Sequence, residues 1–335
     1  MEAPPPAVRM IQLLAGFQVS QALYVAAELG VADRVVDGPR PATELAGELQ
    51  ADPAALERLL RTLAGLGVFT EPVRGSFALT PLGRTLTTDE PGSMRDLARM
   101  WMQTHYAPFA GLLDTVRTGE PAADLHYGQP FFGWLGQHPQ HVDRFTGAMA
   151  NLTQGIKIGA VDSYEFPAAR RIVDLGGADG TLLAHLLQRQ PDAIGFVFDQ
   201  PHVLAEAEAT IKGFGLGERL TAVAGDFFAA VPGGADLYVT AMVLHDWDDD
   251  AVVRLLGRIR EAAEPGAAVR CVEFVLPDGD EPHMAKMIDL TMLGMLRGRE
   301  RRADEFAALF TRAGLTFEGI AASPTPMSIV EARVP

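Results

Sequence analysis

From residue 170 onward the sequence alternates short β-branched runs with helical stretches, and this alternation constrains the fold more than any other feature. The runs cover 171–175, 195–199, 220–224, 235–240 and 268–274. Strands separated by helices form βαβ units, so the chain is read as α/β with a parallel, Rossmann-like sheet. The alternation breaks at the end, where 315–320 and 327–333 read as two strands with Pro324 and Pro326 between them and no helix. An antiparallel hairpin at one sheet edge is expected there.

The N-terminal part has a different texture. Ile11, Leu14, Val19, Leu23 and Ala26 or Ala27 recur at roughly helical spacing before Gly30, and 41–49 makes a second short helix. Asp52-Pro53 supplies a cap and a proline for a third helix, whose Leu56, Leu59, Leu60 and Leu63 share one face before Gly67. Two short strands, 68–70 and 76–79, join through Arg74-Gly75 and complete a winged-helix pattern. Such a domain either binds DNA or pairs two chains. The third helix carries only Arg58 and Arg61 beside Glu57, and 28 basic against 43 acidic residues give a net charge of −15. Phosphate backbones and anionic lipid are repelled by such a surface, so neither nucleic acid nor membrane is expected as a partner, and dimerisation is the favoured role.

A chain of 335 residues is long enough for two domains. The expected division is 1–95 as the winged-helix-like domain, 96–160 as a helical linker with pocket helices, and 161–335 as the catalytic domain. Residues 10–27 are free of charge, but Gln12, Gln18, Ser20 and Gln21 interrupt them, so they are read as a buried interface helix rather than a membrane span. The opening residues lack the basic region of a secretory signal, and the single cysteine, Cys271, allows no intramolecular disulfide; a reducing cytoplasm is expected. Cys271 itself is read as packed in its strand.

The most specific local signal is the strand-to-helix turn Val173-Asp174-Leu175-Gly176-Gly177-Ala178-Asp179-Gly180-Thr181. Glycines let a backbone turn tightly against a ligand, and the following helix offers free N–H groups. Glycine-rich turns serve many ligands. A nicotinamide site would want G-x-G-x-x-G, which fails here at the third and sixth positions, and a Walker loop would need Gly-Lys-Ser/Thr. Asp199 ends the next strand, where an acidic side chain can accept from ribose hydroxyls, with Gln200 beside it. At the end of the third strand, Asp226 and Phe227 could hold an adenine by its amino group and its face, or Asp226 could simply cap the following segment. Trp247 is a second stacking candidate.

Strand four runs into Leu244-His245-Asp246-Trp247, placing a histidine at the carboxyl end of a sheet strand, where open α/β sheets bind ligands. Glu273 near the end of strand five and Glu300 between two arginines are positioned to fix its tautomer and raise its basicity, as a general base requires. His138 and His141 flank the start of a helix and have no clustered third ligand, so no metal site is expected.

Taken together, these motifs resemble the S-adenosylmethionine-dependent small-molecule O-methyltransferases, in the branch of plant caffeate and flavonoid enzymes and bacterial enzymes that tailor aromatic polyketides. The resemblance covers nearly the whole chain and includes Phe198-Asp199-Gln200-Pro201-His202-Val203, Gly225-Asp226-Phe227-Phe228, Val272-Glu273 and Arg299-Glu300-Arg301. It implies a class I methyltransferase sheet, an N-terminal dimerisation domain and a homodimer. It further implies S-adenosylmethionine as cofactor, held around Asp174, Gly176, Gly177, Asp199, Gln200, Asp226, Phe227 and Trp247. His245 would be the general base, flanked by Glu273 and Glu300 and assisted by Asp246. The acceptor, an aromatic secondary metabolite of the kind found in antibiotic biosynthesis, would meet Trp101, Phe131, Phe145, Met149, Met292 and Met295. Methylation at nitrogen or carbon, or a relative that keeps the cofactor without methylating, is the alternative. Two departures stand out. Ala178 replaces a third glycine, which a negative φ would accommodate, and Ala241 stands where plant members often carry a cofactor-contacting lysine.

Overall fold

The computed structural model describes residues 4–201, 203–204 and 207–335. His202 of the Phe198–Val203 motif lies outside the described residues. Two compact units emerge, one of residues up to 107 together with 140–152, the other of 108–139 and 153–335. Residues 96–160, expected as one helical segment, are thus shared between the two units.

In the first unit the helix Pro53–Gly65 starts where Asp52 accepts a 2.8 Å hydrogen bond from the Ala55 N–H. It buries Leu56, Leu60 and Leu63 against Leu45, Phe69 and Phe77. Strands β1 (Arg40–Pro41), β2 (Phe69–Val73) and β3 (Ser76–Leu79) form a sheet in the order β1-β3-β2, so the expected hairpin gains a third, two-residue strand. The expected single interface helix over 10–27 is corrected in one respect, its continuity. The chain forms two helices, Pro6–Leu14 and Gly16–Leu29, bent by 45° where Ala15 precedes a glycine, a poor helix former. Met10, Ile11, Leu13, Leu14 and Phe17 are exposed. No single described helix is long and apolar enough to cross a membrane.

The second unit is built on a seven-stranded sheet of β4 (Arg171–Leu175), β5 (Ile194–Asp199), β6 (Leu220–Ala224), β7 (Leu237–Ala241), β8 (Ala268–Phe274), β9 (Thr316–Ala322) and β10 (Met327–Arg333). Their order is β6-β5-β4-β7-β8-β10-β9, with the first five parallel and β10 antiparallel to both neighbours. β7 and β8 are buried along their whole length because apolar clusters lie on both faces, as a parallel sheet demands. One cluster includes Leu183, Leu187, Val197 and Leu237; the other includes Leu255, Ile259, Phe306 and Phe310. Cys271 is buried in β8, and burial pushes its thiol up to about 12. The order in which strands are added reverses between the parallel neighbours β4 and β7, and such a switch point leaves a crevice beyond the carboxyl ends.

One buried cation fastens the C-terminal hairpin. Arg270 in β8 donates from Nη1 to the carbonyls of Val269 (2.9 Å) and Ala332 (2.8 Å), pairs with Glu318 at 3.1 Å, and donates from Nε to the Tyr164 hydroxyl at 2.7 Å. Tyr164 in turn bonds Glu331 of β10. Burial, then this carboxylate, pushes the phenol up to about 12, so it stays protonated as a donor. Arg270→Met is expected to cost about 2 kcal/mol through the stranded partners, measured by urea unfolding.

Candidate active site

The turn after β4 is shaped by glycines that cannot be replaced without displacing neighbours. A Cβ on Gly176 would lie 2.7 Å from Val243 Cγ2, and one on Gly177 would lie 2.7 Å from Asp174 Oδ2. Ala178 has φ +47°, not the negative value expected, so a residue with a side chain occupies the left-handed region here. Its N–H donates 3.0 Å to Asp199 Oδ2, which fixes the turn to the end of β5 and offsets a strain of about 1 kcal/mol. Asp199 also accepts from the Gln200 N–H at 2.7 Å through Oδ1. Asp174 is 1% exposed, and neither of its oxygens has a hydrogen-bond partner.

At the end of β6, Asp226 Oδ1 accepts from the Phe228 N–H at 2.8 Å, so the capping role is real. The ring of Trp247 meets Phe228 edge-on at 4.7 Å and Phe227 at 6.0 Å. These three rings make an apolar wall beside the acidic residue.

The segment after β7 carries the histidine and is gripped by two buried charges. Glu273 Oε1 accepts from both the Val243 N–H (3.1 Å) and the Leu244 N–H (2.9 Å). Arg301, fully buried, donates to the carbonyls of Leu244 (2.9 Å) and Trp247 (2.7 Å) and pairs with Asp249 at 2.9 Å. Gly298 completes the grip: a Cβ there would fall 1.9 Å from the His245 carbonyl oxygen. Just upstream, Met242 is held at φ +57°, a second strained residue next to the site.

His245 is 4% exposed, with Nδ1 2.7 Å from Glu300 Oε1 and Nε2 3.4 Å from Asp246 Oδ1. With a proton on Nδ1 donated to Glu300, Nε2 is left to accept. The Glu300 N–H is itself anchored to Asp289 Oδ1 at 2.9 Å. Burial of the imidazole favours the neutral form, but Asp246, Glu300 and Glu273 outweigh it and raise its pKa to about 10. Burial, and then neighbouring acidic charge, holds both glutamates above the usual carboxylate range, and Asp246 is raised to about 6. Glu273 therefore acts mainly on the backbone before the histidine, while Glu300 and Asp246 are the carboxylates nearest its nitrogens. The second oxygens of Glu273 and Glu300 have no partner.

Among the residues expected to meet an acceptor, Trp101, Phe145 and Met149 belong to the first unit. Trp101 is exposed there, and the other two are half-buried on the helix Pro139–Leu152. Phe131, Met292 and Met295 belong to the second unit and are buried. Phe131 lies in an aromatic row in which Trp134 stacks on Tyr127 at 4.0 Å and on His138 at 4.4 Å. Met292 and Met295 share the helix Met284–Met295 with Asp289.

Two residues were not singled out from the sequence. Arg301 appeared there only as a flank of Glu300, although an arginine beside a candidate base is itself a signal. Lys157 gave none, since a lone lysine at the end of a helix reads as solvent-facing. It is 9% exposed, and its Nζ donates to the Ala241 carbonyl at 3.4 Å.

Comparison with known proteins is decisive for the family. Residues 109–316 match the model of the O-methyltransferase domain, and 11–89 match that of the O-methyltransferase dimerisation domain. The chain belongs to the O-methyltransferase family. A phenazine O-methyltransferase of Lysobacter antibioticus is 41% identical over 99% of this chain and 97% of its own. An 8-amino-8-demethylriboflavin N,N-dimethyltransferase of Streptomyces davaonensis is 34% identical over 98% of this chain and 95% of its own. Among solved structures, an O-methyltransferase from neocarzinostatin biosynthesis in complex with S-adenosylmethionine and 2-hydroxy-5-methyl naphthoic acid superimposes with a TM-score of 0.81. It is 34% identical, covering 95% of this chain and 96% of that one. This methyltransferase therefore has the class I sheet with its antiparallel hairpin and a dimerisation domain, and its homologues serve bacterial natural-product biosynthesis.

Because Arg301 holds two carbonyls and a carboxylate from within the core, Arg301→Met is expected to destabilise the second unit by about 3 kcal/mol. Chemical denaturation should read that loss, and His245 should lose its position with it.

Proposed function

We propose that this methyltransferase transfers a methyl group from S-adenosylmethionine to a phenolic hydroxyl of a polyketide-like aromatic natural product, with His245 as general base. The observation that carries this reading is the 2.7 Å contact between His245 and Glu300 at the carboxyl end of β7, next to the glycine turn of β4. The residues present fit the cofactor. Asp174 offers a buried carboxylate with both oxygens unpartnered, Asp199 places a carboxylate at the end of β5 against the glycine turn, and Phe227, Phe228 and Trp247 wall a place for a flat base. When bound, the cofactor supplies an electrophilic methyl group on a positive sulfur.

What the chain's own residues contribute is orientation and a proton acceptor. A phenol titrates near ~10 and an ordinary histidine near ~6.5, a gap that would leave the base weak. The acidic neighbours of His245 raise it to about 10 and close that gap, so proton transfer from a phenol is nearly balanced. The accompanying cost is that much of the imidazole is protonated at neutral pH. His245, Glu273 and Glu300 lie within 4.8 Å of one another, but the 2.7 Å link between His245 and Glu300 is filled by a proton that a cation would have to displace. The reaction as proposed therefore draws on no metal.

Nitrogen is the second acceptor class, favoured by the N,N-dimethyltransferase that is 34% identical across almost the whole chain. The same base would take a proton from an amine. Mass spectrometry of paired phenols and amines of the same ring, incubated with S-adenosylmethionine, tests the reading; methylation of the amines alone would overturn the phenolic assignment. Homodimerisation through the first unit is part of the proposal, supported by the matched dimerisation domain and by exposed Met10, Ile11, Leu13, Leu14 and Phe17.

His245→Ala is expected to lower kcat by roughly 10² to 10⁴-fold with little change in cofactor affinity. Because His245 has a raised pKa and works unprotonated, kcat/KM should climb with pH from neutrality into the alkaline range. Glu300→Gln removes a charge that favours the imidazolium, so its profile should move to lower pH while its maximum falls. Leu14→Glu should shift the protein from dimer towards monomer in sedimentation at micromolar concentration.

A further inference from the structure

The chain has three lysines, and only Lys157 is buried. It ends a π-helical turn, Thr153–Lys157, a widened form that is rare and recurs at functional sites. The carbonyl it reaches belongs to Ala241, the last residue of β7, so the ammonium lies at that strand's carboxyl end.

The surroundings of this ammonium are built for more than that one contact. An ammonium has three protons to donate, and the hydrogen bond to Ala241 is long at 3.4 Å. Ala241 closes β7, which pairs with β4 directly before the glycine turn, with Leu175 opposite Thr240. Asp174, one residue earlier on β4, is buried with both oxygens unpartnered, and only a glycine at 177 leaves its Oδ2 open. Burial pulls the Lys157 ammonium below its usual pKa, and four carboxylates oppose that by favouring its charge: Asp174, Asp179, Glu273 and Asp246. The crevice is thus acidic, with Lys157 and the largely protonated His245 as its positive groups among the described residues. A ligand that carries one carboxylate among positive groups matches that pattern, and a purely anionic one does not.

We infer that Lys157 holds the carboxylate of the cofactor's methionine tail, with Asp174 facing the α-ammonium. The inference rests on the proposed cofactor and deepens it. Lys157 supplies from the π-turn the charge that the strand end lacks, and the two side chains together read the zwitterion while Asp199, Asp226 and the aromatic wall hold the nucleoside.

Two ligands separate the tail from the rest: S-adenosylhomocysteine, which has it, and 5′-methylthioadenosine, which does not. By calorimetry, Lys157→Met should weaken S-adenosylhomocysteine by roughly tenfold to a hundredfold and leave 5′-methylthioadenosine within about twofold, with Lys157→Arg recovering part of the loss. Equal losses for both ligands, or no loss for either, would overturn the assignment. The wild-type protein provides a second measurement independent of how the variant folds. With lysines labelled at Cε, its NMR spectrum holds three signals, assigned by substituting Lys212 and Lys286. The Lys157 signal should move with S-adenosylhomocysteine and stay near its free position with 5′-methylthioadenosine; the same shift with both overturns the inference. Wild-type protein that binds neither compound would instead overturn the cofactor reading itself, and this inference with it.

Discussion

The active site depends on a short piece of backbone held between opposite charges. Residues 243–247 have no regular structure beyond one 3₁₀ turn, Leu244–Asp246, yet they carry the histidine. Glu273 satisfies two N–H groups on one side of this segment, and Arg301 satisfies two carbonyls on the other. Both charged groups are fully buried. Each takes the place of water or secondary structure as partner to polar backbone that would otherwise be orphaned in the core. Remove either and the segment gains unpaired groups along with a stranded charge.

The same acidity that organises the backbone tunes the chemistry. Three carboxylates crowd one imidazole, and burial keeps them from being screened by solvent, so the ring is held well above its ordinary pKa. Lys157, reaching the end of β7, is a second cation in this acidic region beside the protonated imidazole. The end of β6 is different in character, with Phe227, Phe228 and Trp247 packed edge-on against one another.

Much of the sheet was legible in the sequence. The strands at 171–175, 220–224, 268–274 and 327–333 match their expected limits because each is a short, largely apolar or β-branched run set off from the helices around it. His245, Glu300 and the glycine turn were legible for the same reason: their chemistry is local to a motif. What escaped depends on distant partners. Lys157 becomes meaningful only when its helix packs beside the end of β7, 84 residues later. Arg301 acts on carbonyls some 54 to 57 residues before it. Ala178 adopts a positive φ because Asp199, from the next strand, holds its N–H, and no local propensity reports that. The break at Ala15 and the exposure of the apolar residues around it were hidden by an uninterrupted uncharged run.

The helix Met284–Met295 ties two properties together that enzyme engineering usually treats separately. Asp289 on this helix anchors the backbone of Glu300, and Glu300, with Asp246, raises the basicity of His245. Met292 and Met295, proposed for the acceptor, sit one and two turns further along the same rod. A change of side-chain volume at either methionine that tilts the rod also moves the anchor, and with it the strength of the base. In the proposed reaction, broadening the range of acceptors and retuning the proton transfer are therefore mechanically coupled, and a variant selected for one will carry a shift in the other.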